Sequence, residues 1–408
     1  MNFALLAKNL QVAQGATSGG VQTSFMHQSL RTRVVAKPGA VFELGKELAK
    51  LGCRRPLILS SKRMASSTLY ADVHGTLREF EFFEAHDIPQ HSTIPAVSRI
   101  ANLARDNCID SLIAVGGGSV SDTAKAVALV LAEGAPLEQH ASRFIPPETV
   151  MTPDLVRIKV PILSIPMTAS GAEATPSFGI RTSQGTKLLF RDPQLASRVI
   201  LLDPIANLAT PASIMLSTAM NGLAHCIEGL YSKGRTPIAS ILALDGIVQF
   251  DHAMRNVARA PDQVGARAEL LIAAHVSGMV LAAAHSCLHH AICHVLGATF
   301  GVGHGAVNSV LLPYVVQFNA PFAVKELTAA ASRLGIARES EDATEGFVNW
   351  IRSIQRSTDV PTRLRDLGID LHALRTVAEK TLHERGLAYN PRPISDAAAI
   401  ESILLEAW

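Results

Sequence analysis

The stretch SLIAVGGGSVSDTAKAVALVLA (residues 111–132) decides the fold. Ser111–Val115 is a short apolar run without polar alternation, the pattern of a parallel strand covered on both faces. It runs into Gly116-Gly117-Gly118-Ser119, and a helical stretch rich in Ala, Val and Leu follows from Thr123 to Ala132. Strand, glycine turn and helix make the unit of an open α/β sheet, and the turn lies at the strand's carboxyl end, where such sheets bind ligands. Bare glycines let backbone N–H groups approach a phosphate, and the next helix N-terminus favours its charge. Ser121 or Asp122 is placed to cap that helix. The turn is neither GxGxxG nor a P-loop, and a tight turn with positive φ would use the same glycines.

The same rhythm extends outward. Apolar runs at 33–36, 56–60, 161–166 and 197–203 read as further strands, and 41–51 and 95–108 have helical spacing. Residues 167–173 (MTASGAE) put the hydroxyls of Thr168 and Ser170 on another strand-end loop, and Ser183-Gln184-Gly185 marks a hairpin between 177–180 and 187–190. After Pro204 the strand signals fade. The stretches 211–231, 238–257, 266–296 and 307–318 read as helices, with 273–284 apolar nearly all round, as in a buried helix. The expected fold class is an α/β N-terminal domain (residues 25–206) followed by an all-α C-terminal domain (207–408), after a polar extension (1–24) in which no signal sequence is legible. Met26 is a possible alternative start.

With 408 residues, 48% hydrophobic and 18% charged, the chain can bury a large core. A net charge of +2 with no basic stripe argues against nucleic acid and anionic membranes as partners. No run of some 20 apolar residues suggests a membrane span. Five scattered cysteines without a CxxC pair suit a reducing cytoplasm, with Cys226 and Cys293 as small core groups.

Five histidines fall within residues 285–304 (HSCLHHAICHVLGATFGVGH). His290 and His294, four apart, share a helix face. Gly297, Gly301 and Gly303 are expected to end that helix and turn the chain back, so that His304 joins them. His285 and His289 read as packing residues. On a second helix Asn221 and His225 are again four apart, while Glu228 reads as a solvated surface carboxylate. Such a cluster points to proton transfer or metal binding.

Five motifs, GGGSVSDTAKA (116–126), PMTASGAEATPSFGI (166–180), MNGLAHCIEGLY (220–231), LHHAICHVLGATFGVGH (288–304) and NPRPI (390–394), stand in an order that resembles the iron-containing alcohol dehydrogenases, whose architecture is dehydroquinate synthase-like. Within that family the chain most resembles the maleylacetate reductases. The resemblance covers about residues 30–408. It implies an α/β N-terminal dinucleotide-binding domain, an all-α C-terminal domain and an active site between the two. It also implies NADH or NADPH as cofactor, bound by Ser61, Gly117, Gly118, Ser119, Asp122, Thr168 and Lys187. With Ser61 where NAD-selective relatives carry an Asp, no carboxylate repels a 2′-phosphate, and Lys62 and Arg63 stand beside it. Metal-dependent members bind Fe²⁺ or Zn²⁺ through one Asp and three His. The matching positions are Asn221, His225, His290 and His304, so the metal set reduces to the three histidines. A neutral amide in place of the carboxylate weakens such a site, so the metal is not expected to be essential. Asn221, His289-His290, Cys293-His294 and the NPRP tail resemble the reductases; Asp122 follows the alcohol dehydrogenases.

The expected reaction is reduction of the activated C=C bond of maleylacetate or a substituted maleylacetate to 3-oxoadipate, in aromatic degradation. Asn221, His225, His290, His294 and His304 form the catalytic set, and Arg181, Lys187 and Arg191 are candidates for the carboxylates of a dicarboxylate oxo acid. A cytoplasmic homodimer is implied. A metal-dependent alcohol dehydrogenase or aldehyde reductase is the alternative; an NAD-using lyase or cyclising synthase and a non-catalytic scaffold fit the histidines less well.

Overall fold

The computed structural model describes residues 24–336 and 340–408, so the expected extension, residue 24 apart, lies outside the described residues. The strands are β1 (Arg33–Ala36), β2 (Pro56–Leu59), β3 (Phe83–Ala85), β4 (Ser111–Gly116), β5 (Arg143–Ile145), β6 (Thr149–Met151), β7 (Ile162–Pro166), β8 (Ser177–Arg181), β9 (Lys187–Arg191) and β10 (Val199–Leu202). Six of them form a parallel sheet in the order β1-β10-β7-β4-β2-β3. The chain leaves β2 outward to β3 but leaves β4 in the other direction to β7. The crevice beyond the carboxyl ends of β2 and β4 is therefore a topological switch point. The pairs β5–β6 and β8–β9 are antiparallel hairpins.

The α/β half carries helices α1 (Leu44–Lys50), α2 (Lys62–Ala65), α3 (Thr68–Thr76), α4 (Ile94–Asp106) and α5 (Gly118–Glu133). Side-chain parity explains why the strands are apolar throughout. Leu57, Leu59, Leu112 and Ala114 face a core with Val97 and Ile100 of α4 and Val127 of α5. Ile58, Ile113, Val115, Leu163 and Ile165 face the opposite core, with Leu44, Leu48 and Val73. Each fully buried Leu or Ile contributes about 1.5–3 kcal/mol.

The helical half comprises α6 (Pro204–Asn207), α7 (Ala212–Tyr231), α8 (Pro237–Arg259), α9 (Val264–Ala284), α10 (Leu288–Phe300), α11 (His304–Asn319), α12 (Val324–Arg333), α13 (Ser340–Thr358), α14 (Leu374–Thr381) and α15 (Ala397–Ala407). Ile200 and Leu202 of β10 belong to its core, beside Met215, Leu216 and Leu223. Asp203 ends the sheet, accepts from Ile205 and Ala206 at the start of α6, and also accepts from Gly39 and Val41. By length and composition α9 could cross a membrane, with mean hydropathy 1.4, but half of that window is buried inside the protein.

The structure corrects several boundaries. Helix α5 starts at Gly118, so Ser121 and Asp122 lie inside its first turn and do not cap it. The expected helix over 266–296 is two helices. His285 takes φ +63°, and Asn390 Oδ1 accepts from Leu288 N at 3.3 Å to start α10 afresh. Gly297 stays inside α10, and Gly301, at φ +68°, ends it. Helix α11 opens at His304 itself.

Candidate active site

Helices α7 and α10 face each other where the sheet's carboxyl edge meets the helical half. The ring centroids of His225 and His290 stack 4.7 Å apart, those of His290 and His304 lie 6.0 Å apart, and those of His294 and His304 stack at 5.7 Å. The structure thus brings together all four histidines that spacing singled out, and Asn221 with them. His225 and His290 are buried; His294 and His304 are partly exposed. Burial and neighbouring charge push all four below the ordinary histidine range, His290 to about 3. Lys187 is one of those charges for His290, His294 and His304. Four neutral imidazoles beside one ammonium make a site of N–H donors, suited to stabilising negative charge as it develops.

Glu228 overturns its reading as a solvated carboxylate: its side chain is completely buried. One oxygen accepts from His289 N at 2.8 Å, and the other lies 2.6 Å from His290 Nδ1. Glu228 follows Asn221 and His225 at i+7 and i+3, on one helix face, so the signal was in the spacing. On the other side of His290, Asn221 Nδ2 donates to Ser170 O at 3.3 Å. Its Oδ1 therefore turns to His290 Nε2 at 3.1 Å, and that nitrogen carries the hydrogen. Burial raises the Glu228 carboxyl and lowers His290, so each resists taking its charged form in this pair.

These contacts do not fit a divalent metal at His225, His290 and His304. An Nε2 that bears hydrogen and faces an amide oxygen is not a ligand, and Asn221 brings no charge. Among the described residues, the one set of three His, Cys, Asp or Glu side chains with ligand atoms all within 4.8 Å of each other is Glu228, His289 and His290. There His289 Nε2 is engaged with Asn308 O at 3.0 Å and Glu228 with His290.

Ser61, Gly117, Gly118, Ser119 and Thr168 follow the carboxyl ends of β2, β4 and β7, Asp122 lies in α5 and Lys187 opens β9; the bare glycine turn suits a dinucleotide's phosphates. A Cβ at Gly117 would come within 2.8 Å of Thr168 Cγ2, so the turn stays bare backbone beneath the loop after β7. That loop is seated on the helices: Ala169 N donates to Thr218 Oγ1 at 3.0 Å, and Gly171 adopts φ +67°, where a Cβ would press within 2.8 Å of Ser277 Oγ. Gly118 opens α5, Ser61 caps α2 beyond β2, and Ser119 Oγ donates to Gln90 O. Lys187 lies across Gly179, whose N–H donates to Asp122 Oδ2 at 3.3 Å. Arg191 is anchored to Ala282 O and Ser177 Oγ, and Arg181 N donates to Ser92 O.

Residues 31–204 match the family described as iron-containing alcohol dehydrogenase, and residues 215–408 match its C-terminal domain. The chain belongs to the iron-containing alcohol dehydrogenase family. Maleylacetate reductase from Pseudomonas sp. (strain P51) is 29% identical over 94% of this chain and 98% of its own. Maleylacetate reductase 2 from Cupriavidus pinatubonensis is 32% identical over 74% of this chain and 76% of its own. The crystal structure of a maleylacetate reductase from Agrobacterium tumefaciens superposes with a TM-score of 0.78 at 26% identity, covering 95% of this chain and 99% of that one. Like its relatives, this member of the family is an oxidoreductase.

Sequence reading missed three contributors to the site of this dehydrogenase-family enzyme. Glu384 Oε2 lies 3.3 Å from His294 Nδ1, reaching it from a segment ninety residues downstream. Arg385 follows it into the cluster. The segment carrying Gln90 and His91 crosses from the α/β half to the glycine loop before His304. No spacing rule connects these positions to the histidines, because only the tertiary fold brings them there. Among residues read as packing groups, His285 stacks on Tyr389 at 4.2 Å, and Cys226 and Cys293 are buried.

Proposed function

We propose that this enzyme reduces maleylacetate, or a substituted maleylacetate, to 3-oxoadipate with NADH or NADPH and without a resident metal. The observation that carries this reading is the Asn221 amide hydrogen-bonded to His290 Nε2, where metal-dependent members place a carboxylate. The bound dihydronicotinamide supplies the hydride. A C–H bond forms at the alkene carbon β to the ketone as the π bond breaks, and its electrons move onto the ketone oxygen as an enolate. The neutral imidazoles face that enolate with N–H donors, and one of them delivers the proton to the α carbon as the ketone re-forms. Solvent restores the proton to the imidazole. Lys187 adds positive charge toward the same point. Ser61, Gly117, Gly118, Ser119, Asp122, Thr168 and Lys187 form the cofactor side of the cleft. A cytoplasmic homodimer acting in aromatic degradation agrees with this reading. Oxidation of NAD(P)H by maleylacetate, with product identified as 3-oxoadipate, tests it; turnover of simple aldehydes instead would reject it.

A further inference from the structure

We infer that Arg385 binds a carboxylate of the substrate and is the residue by which this site selects a dicarboxylate over a monocarboxylate. This rests on the reading of the substrate just given. Arg385 opens a 3-10 turn (Arg385–Tyr389) that is locked to the start of α10. A Cβ on Gly386 would collide with Cys287 O, Cys287 Sγ donates to Tyr389 O at 3.3 Å, and the Tyr389 ring stacks on His285. Asn390 completes the clamp: it caps Leu288 N and exchanges 2.9 Å hydrogen bonds with Asn319 in both directions. The backbone that carries Arg385 is therefore rigid, and the preceding residue touches His294. Arg385 stands in a site prepared in advance.

The charged and titratable groups around its guanidinium are Arg191, Glu384, His285, His294 and Tyr389. Arg191 repels it and already serves Ala282 O and Ser177 Oγ. Glu384 turns its carboxyl to His294, and burial pushes that carboxyl up to about 7. No ion pair or side-chain hydrogen bond of Arg385 is made among the described residues. A largely desolvated guanidinium without a carboxylate costs free energy unless an anion from outside completes it. Its planar fork suits a carboxylate in two-point contact. Its charge acts on His294, to which the neighbouring Glu384 side chain reaches, so it would meet the substrate at the His294 side of the cluster.

Arg385→Gln and Arg385→Lys, made in the full chain, test this. Steady-state reduction of maleylacetate is measured beside calorimetric binding of the six-carbon dicarboxylate adipate and the monocarboxylate hexanoate to the NAD⁺-saturated protein. Losing a charged hydrogen bond should raise KM for maleylacetate and weaken adipate binding by roughly 10- to 100-fold in Arg385→Gln. kcat, the KM for NAD(P)H and hexanoate binding should stay within a few-fold, and Arg385→Lys should recover part of the loss. Adipate affinity unchanged in Arg385→Gln, equal weakening of adipate and hexanoate, or a wild type that does not discriminate between them would each overturn the inference. A wild type that ignores maleylacetate rejects the proposed reaction, while the adipate–hexanoate comparison still decides the role of Arg385.

Discussion

Asn221→Asp would place a carboxylate against His290 Nε2 and supply the charged oxygen that the histidines lack. Binding of Zn²⁺ or Fe²⁺, measured as metal retained after dialysis, should rise by an order of magnitude or more. Unchanged metal content would mean that residue 221 does not govern the site. Glu228 gives a second test at this scale. The amide of Gln can keep both contacts, its oxygen accepting from His289 N and its N–H donating to His290 Nδ1. Glu228→Gln should therefore cost less than about 1 kcal/mol in urea unfolding. Glu228→Ala strands two buried partners and should cost about 2–4 kcal/mol. Equal losses would show that Glu228 is an anion paired with an imidazolium.

At the scale of elements, the break between α9 and α10 aims the histidines into the cleft. The Asn390–Asn319 pair and the cap on Leu288 hold that break. Asn390→Ala should lower stability by about 2–3 kcal/mol through the buried groups it strands. It should also weaken activity more than an exposed helix substitution does. No measurable effect in either assay would show that α10 holds its start without the tail. Much of this was legible beforehand. The strands were readable because burial on both faces makes parallel strands apolar throughout, and the pairs Asn221/His225 and His290/His294 were readable because a helix turns once every 3.6 residues. The break at His285 was not, since a buried helix and a buried turn share the same apolar composition there. β3 is three residues long and weakly patterned, and Glu384 reaches His294 through tertiary packing that no local period encodes.

Across the whole molecule, neutral buried histidines set the response to acid. Burial holds His285 and His290 at about 3 and His289 at about 4, with His225, His294 and His304 also lowered. In the unfolded chain these rings take up protons near pH 6.5, so folded stability is lost as pH falls from about 6.5 toward 4. Glu173 and Glu384, raised to about 7, act in the opposite sense: their contribution is present below about 4.5 and lost as pH rises through 7. The histidines outnumber them, and the melting temperature should fall between pH 7 and 4.5 by calorimetry; a flat or rising profile would contradict neutral burial. The most direct measurement is NAD(P)H oxidation by chelator-treated enzyme, with maleylacetate in one cuvette and a small aldehyde in another. Turnover of maleylacetate that survives chelation is expected from a site where Asn221 holds His290 as an N–H donor. Turnover of the aldehyde alone, and only after Fe²⁺ or Zn²⁺ is restored, would contradict it and return the site to metal chemistry.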